Sequence, residues 1–243
     1  MVKLLSTVLL GAQLLAPVLG HAVPHMEPRA TNGTIEYPFP EMGTDEPADF
    51  ATNGYFINHL CITVKNLTAS VDFYNSVFGL RKLFTLHVTE HFSITYMGHP
   101  HGGKNGTGYQ TALEMNREKN NAEGLIELVY ADVPVNNIDS STQRPNTFAH
   151  IGIVVPDTEV MQARLDTLPH VEVVKPYGEP IPLGGEVAGA TGLSVEVLAQ
   201  LSEEEKKAIS AVLDPTNLPL IFVADPDGNL IEIQPQEDAA LTN

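Results

Sequence analysis

One cysteine, Cys61, and no tryptophan stand in the 243 residues. A single thiol excludes an intrachain disulfide, so stability must come from an apolar core or a bound metal. Basic residues are also scarce, with 13 Lys and Arg against 30 Asp and Glu and a formal net charge of -17. Nucleic acids and anionic membrane surfaces are held mainly by Lys and Arg. Neither is an expected partner, and a small-molecule substrate is. Beyond the first 20 residues no run is apolar and long enough to span a bilayer. Hydrophobic residues still make up 43% of the chain, enough for a packed core rather than a disordered coil. Cys61 lies two residues after His59. It reads as a small buried thiol, with a soft metal ligand as the alternative.

The N-terminus reads as a targeting segment. Lys3 precedes an apolar stretch from Leu4 to Leu19, interrupted by Gln13, and Val18-Leu19-Gly20 suits cleavage. The run is short for a spanning helix and carries Pro17 near its end. A signal peptide over 1–20 and secretion are therefore expected. Three glycosylation sequons, at Asn32, Asn66 and Asn105, agree with that destination. Residues 21–54 carry five prolines without clear periodicity and read as a flexible leader. One domain is expected over 55–235, with a tail at 236–243.

What is present in that domain is a two-fold repeat. His59-Leu60-Cys61-Ile62-Thr63-Val64 and His150-Ile151-Gly152-Ile153-Val154-Val155 share the pattern His-x-x-Ile-x-Val. Each is followed by an apolar run around a glutamate, Leu125-Ile126-Glu127-Leu128 and Leu230-Ile231-Glu232-Ile233. Each copy thus opens on a buried-looking His and closes on a buried-looking Glu. Alternation could turn each Glu to solvent, and a lone strand His is usually a satisfied core residue. Equivalent places in two copies of one pattern argue instead for a shared role. Glu is rarely buried unless paired or bound to metal. His59, Glu127, His150 and Glu232 form a candidate metal-ligand set of two imidazoles and two carboxylates. Such a set suits one divalent metal, Zn or Ni first, with Fe, Mn or Co also able to bind.

Periodicity predicts β-α-β-β-β in each copy. Strand 57–64 should place Leu60, Ile62 and Val64 on one face and His59, Cys61 and Thr63 on the other. A helix over about 68–78 should stop at Gly79. Strands follow near 82–88, 91–97 and 124–130, with a polar loop and a short helix between the last two. After a linker over 131–146, Asp157 caps a helix to about Leu168, with Val160, Ala163, Arg164 and Leu168 in rough register. Strands are expected over 171–175, 219–224 and 229–234. The second copy holds an insertion over about 178–217, with a capping box at Ser202 and a helix ended by Pro215 and Pro219. This insertion is a candidate lid. The modules span 55–131 and 147–235. The fold class is α+β, with paired βαβββ modules curling into a cup-like mixed sheet and helices outside.

The chain resembles the vicinal-oxygen-chelate superfamily, glyoxalase I above all. The resemblance is carried by Phe148 to Asp157, by Asp225-Pro226-Asp227-Gly228-Asn229-Leu230-Ile231-Glu232-Ile233 and by Ser70-Val71-Asp72-Phe73-Tyr74. It implies a metal held by His59, Glu127, His150 and Glu232. It further implies a lyase or isomerase reaction in which Glu232, helped by Glu127, abstracts a carbon-bound proton and an enediolate is stabilised. The groups that hold glutathione in that family are replaced here by Thr63, Ala131 and Asn146, with Arg144 nearby, so glutathione use does not follow. Members of the superfamily close the site within one chain or across a homodimer, and both stay open. Two other readings remain. An extradiol-dioxygenase-like Fe(II) oxygenase would need two His and one Glu. A non-catalytic secreted binding protein would need only the cup.

Overall fold

The computed structural model describes residues 30–31, 34–35, 43–102, 108–134, 137–144 and 146–236. It divides into an N-terminal unit ending at Thr44 and a main unit from Asp45. In the N-terminal unit Ala30–Thr31 pairs antiparallel with Thr34–Ile35. The expected signal peptide and the sequons' Asn32 and Asn105 lie outside the described residues. Of the expected leader, the part in the main unit includes one 3-10 turn, Phe50–Thr52, with Asp49 accepting from the Ala51 N–H.

The main unit contains the repeat. The first copy runs β1 (His59–Val64), α1 (Leu67–Phe78), β2 (Arg81–Thr89), β3 (Phe92–Gly98), α2 (Ala112–Glu118) and β4 (Leu125–Ala131). The second runs β5 (His150–Val155), α3 (Thr158–Leu165), β6 (Glu172–Lys175), α4 (Glu186–Ala190), α5 (Val195–Leu198), α6 (Glu203–Asn217), β7 (Ile221–Ala224) and β8 (Leu230–Pro235). Two four-stranded mixed sheets result, ordered β1-β4-β3-β2 and β5-β8-β7-β6. In each, the first and last strands of the copy lie side by side and parallel, while the other pairs are antiparallel. The fold is α+β.

Local chemistry sets the helix ends. Asn66 and Asp157 accept hydrogen bonds from Ala69 N–H and Val160 N–H, which satisfies free donors of the first turns of α1 and α3. Gly79 ends α1 at φ 74°, where a side chain would be strained. The inward residues of both sheets and both helices share one core. Ile62, Val64, Tyr74, Val77, Met97, Ile126 and Leu128 of the first copy pack with Met161, Leu165, Ile221, Val223, Ile231 and Ile233 of the second. Polar ties cross the same boundary. The Tyr74 hydroxyl donates to Asp225 Oδ2 at 2.9 Å, and Lys65 N–H donates to Asp227 Oδ1 at 3.0 Å.

Three expectations need correction. The buried face of α3 is Thr158, Met161 and Leu165, while Val160 is exposed. The Asp157 cap sets the helix phase, the helix stops at Leu165, and Leu168 reaches the core from the following turn. Of the two prolines expected to end α6, Pro215 lies inside the helix, which continues to Asn217 and stops short of Pro219. Proline removes one N–H from the ladder, and the buried Lys175 ammonium gathers the carbonyls of Asn217, Leu218 and Leu220 just beyond it. The insertion also folds two short helices, α4 and α5, that its Gly-rich sequence concealed.

Candidate functional site

Alternation along β1 turns Ile62 and Val64 into the core and leaves His59, Cys61 and Thr63 on the opposite, open face. Parallel pairing with β4 sets Glu127 beside Cys61 on that face. His59 Nε2 lies 3.1 Å from Glu127 Oε2. The second copy repeats this: Glu232 is in register with Gly152, and His150 Nε2 lies 3.4 Å from Glu232 Oε2. All four side chains are partly exposed, the His at 35% and 29% and the Glu at 16% and 19%. They were expected to be buried. Their place on the face away from the shared core explains the difference. Cys61 is exposed for the same reason, contrary to the buried thiol expected from sequence.

The structure thus joins the four residues as two pairs. Among the described residues no group of three or more His, Cys, Asp or Glu lies close enough to hold a metal ion. His99 and His101 do not form a second such group. Both are exposed, His99 Nε2 contacts the Phe78 carbonyl at 2.8 Å, and the two line a cavity of about 250 Å³ with Gln110, Met115 and Glu118.

Two neighbours of the first pair, Asn58 and Tyr96, escaped the sequence reading. Asn58 donates from Nδ2 to the carbonyls of Lys119 and Ala122, both at 2.7 Å. Those bonds orient the amide, so Oδ1 accepts from His59 Nδ1 at 2.9 Å. A neutral imidazole then offers the Nε2 lone pair to Glu127. Two electron-rich groups 3.1 Å apart need a positive charge between them, which a divalent cation or a proton supplies. The pair is half of a metal's donor set or, with the proton on Nε2, a His–Glu ion pair. Tyr96, in register with Glu127 across β3 and β4, sets its phenol beside that carboxylate. Its ring stacks on Phe84 at 5.3 Å and meets His59 edge-on at 5.4 Å. Desolvation, then Glu127, push the phenol up to about 12. Cys61 is in register with Glu127 on β1, and its thiol is raised by partial desolvation and then by that carboxylate. No sequence signal reveals these contacts without the strand register.

The second pair has other surroundings. Phe222 is in register with Glu232 and meets the His150 ring edge-on at 5.8 Å. Phe222 and Leu230 are buried with Val187 and Ala190 of α4, so the insertion covers part of this face. His150 Nδ1 is buried without a hydrogen-bond partner. At the edge of β1, Cys61, Thr63, Arg144 and Asn146 line a cavity of about 590 Å³. Arg144 there is paired with Asp139 at 3.2 Å.

Residues 56–233 match the model of the Glyoxalase/Bleomycin resistance protein/Dioxygenase superfamily. The chain belongs to that superfamily. It is similar to the lactoylglutathione lyase of Pseudomonas aeruginosa, 27% identical over 154 residues that cover 62% of this chain and 85% of that one. The lactoylglutathione lyase of Schizosaccharomyces pombe is 33% identical over 121 residues, 46% of this chain and 37% of that protein. The chain therefore matches little more than a third of the length of the second relative. Among solved structures, the trypanothione-dependent glyoxalase I of Leishmania major aligns with 75% of this chain and 88% of its own, at 19% identity and a TM-score of 0.42. Glyoxalase I of Zea mays aligns with 75% and 45%, at 17% identity and a TM-score of 0.44.

Proposed function

We propose that this protein is a metal-dependent lyase or isomerase of the glyoxalase I type, acting on a small substrate with adjacent oxygens. The observation that carries the reading is the pair of contacts, His59 to Glu127 and His150 to Glu232, at equivalent places in two copies of one module. These four residues would hold one divalent cation, Zn or Ni first. When bound, the cation supplies Lewis acidity that makes the proton beside a substrate carbonyl easier to remove. Glu232 takes that carbon-bound proton and returns it to the neighbouring carbon, and Glu127 stays a fixed carboxylate. Since one chain separates the two pairs, the centre is completed across a homodimer, the first copy of each chain facing the second copy of its partner. Glutathione dependence does not follow from the site. Thr63, Ala131 and Asn146 carry no charge, and Arg144 is occupied by Asp139.

Secretion is part of the proposal. It is supported by the N-terminal segment and by the sequon at Asn66, an exposed residue that caps α1 through Oδ1 and so leaves Nδ2 for a glycan. The test is metal analysis of the purified protein beside His150→Ala and Glu232→Ala, followed by methylglyoxal turnover with and without glutathione. Metal in the wild-type protein that both substitutions diminish, with turnover, supports the proposal. Metal content untouched by both removes it. Oxygen uptake with a catechol would point to the dioxygenase chemistry instead, and absence of both metal and turnover to a binding protein.

A further inference from the structure

The two halves of the site share one register and differ in what surrounds it. Glu127 faces Cys61 on β1 and Tyr96 on β3, whereas Glu232 faces Gly152 on β5 and Phe222 on β7. Asn58 precedes the first His and Ala149 precedes the second. At each of these positions the first copy supplies a polar group and the second supplies none. His59 has its Nδ1 engaged by Asn58, while His150 Nδ1 is buried and has no hydrogen-bond partner among the described residues. Glu127 has the Tyr96 phenol and the Cys61 thiol in register beside it, while Glu232 lies against the buried Phe222 ring.

A ligand held by a neighbour keeps its lone pair aimed and loses little freedom when a cation arrives. An unheld ligand must be ordered by the cation itself. We propose that Asn58 and Tyr96 are positioning residues that make the half-site of His59 and Glu127 the one that captures the metal, the half-site of His150 and Glu232 completing the shell afterwards. This inference rests on the metal reading of the site. Asn58 acts by fixing the His59 tautomer, since its own amide is locked by the Lys119 and Ala122 carbonyls. Tyr96 acts by fixing a Glu127 rotamer, with its ring already held by Phe84. Cys61 is a weaker donor to the same carboxylate.

The experiment is a zinc competition titration on the full chain with wild type, Asn58→Ala and Tyr96→Phe. Each substitution installs in the first copy the residue that the second copy has at the equivalent place. Each should weaken zinc binding about 10- to 100-fold, the range for loss of an outer-shell partner. Tyr96→Phe keeps the aromatic packing, so a lower affinity reports the hydroxyl. The metal-free protein gives a second readout for Asn58. The His59 Nδ1–H resonance should show a hydrogen bond to Asn58 in wild type and its loss in Asn58→Ala. Zinc affinity unchanged in both variants overturns the inference, and so does an Nδ1–H resonance unchanged by Asn58→Ala. Zinc bound by wild type and retained by the variants leaves the metal reading standing while removing this one. A wild-type protein that binds no zinc removes both.

Discussion

A subunit-mixing experiment follows from the separation of the two His–Glu pairs. His59→Ala breaks the first half-site in every chain, and His150→Ala breaks the second. If the centre joins the first copy of one chain to the second copy of its partner, every site in either pure variant lacks one ligand. In a mixed dimer the broken halves meet at one site, and the intact halves meet at the other. Random assortment of equal amounts gives half mixed dimers, each with one of its two sites whole, so about one quarter of wild-type sites return. If the centre closed within a chain, every site would lack a ligand and recovery would be nil. Both His are partly exposed on sheet faces away from the shared core. Their truncation therefore leaves the fold intact. The readout is tight zinc per chain after co-refolding, with mixed dimers quantified by mass spectrometry. Abundant mixed dimers without recovered zinc sites would refute the two-chain centre, and the separation of the pairs would then need another explanation.

Three further outcomes concern the framework. Tyr74→Phe removes the buried hydroxyl donated to Asp225 at 2.9 Å. Loss of a hydrogen bond to a charged group should cost about 1.5–3 kcal/mol in urea unfolding, and a loss below about 0.5 kcal/mol would show that this contact ties the copies together only weakly. Gly228→Ala should destabilise by more than about 2 kcal/mol. Gly228 has φ 92°, and an added Cβ would lie 2.6 Å from Ser140 Oγ and 2.8 Å from Thr142 Oγ1. A variant with wild-type thermal stability would contradict that. Lys175 is buried, and desolvation lowers its ammonium from 10.5 to about 8, an effect that Glu179 partly offsets. The folded pKa is depressed, so between about pH 8 and 10.5 the unfolded chain holds more protons and stability rises with pH, by up to about 3 kcal/mol. Lys175→Met should flatten that rise in unfolding curves at pH 7, 8.5 and 10, and an unaltered profile would assign the rise to other groups.

The βαβββ order was legible because apolar periods of two and of 3.6 alternate with clear caps. Asp157, Gly79 and the Ser202 capping box all act as read. The repeat also made His59, Glu127, His150 and Glu232 visible as a set. It could not show that they fall into two pairs, because separation of the pairs depends on how the copies pack. That packing is decided by the helices α1 and α3 filling one core between both sheets. Nor could it show Asn58, Tyr96 or the exposure of Cys61. A residue 31 positions before Glu127 becomes its neighbour only through the register of β3 on β4. The buried face of α3 was misread because a short helix has few apolar residues to fix its phase. Met161 and Leu165 are its buried apolar residues, in the phase that the Asp157 cap sets.

The contrast between the halves bears on how two equal copies could divide one reaction. A fixed ligand is served by donors that hold an ionised carboxylate in place. A base is served by a dry surface and by freedom to move between the atoms it deprotonates and reprotonates. Glu127 has the first setting, between Tyr96 and Cys61. Glu232 has the freedom to move: it is 19% exposed and lies opposite Phe222, whose ring is fixed in an apolar cluster that Val187 and Ala190 of the insertion close. The insertion is confined to the second copy. In this reading, α4 fixes the Phe222 surface beside which Glu232 moves, where Tyr96 fixes Glu127 itself. Val187→Ser should therefore lower metal-saturated turnover while leaving zinc affinity near wild type, whereas Tyr96→Phe weakens zinc binding. If Val187→Ser weakened zinc binding as much as Tyr96→Phe, the two glutamates would not be doing different work, and the division of roles would fail.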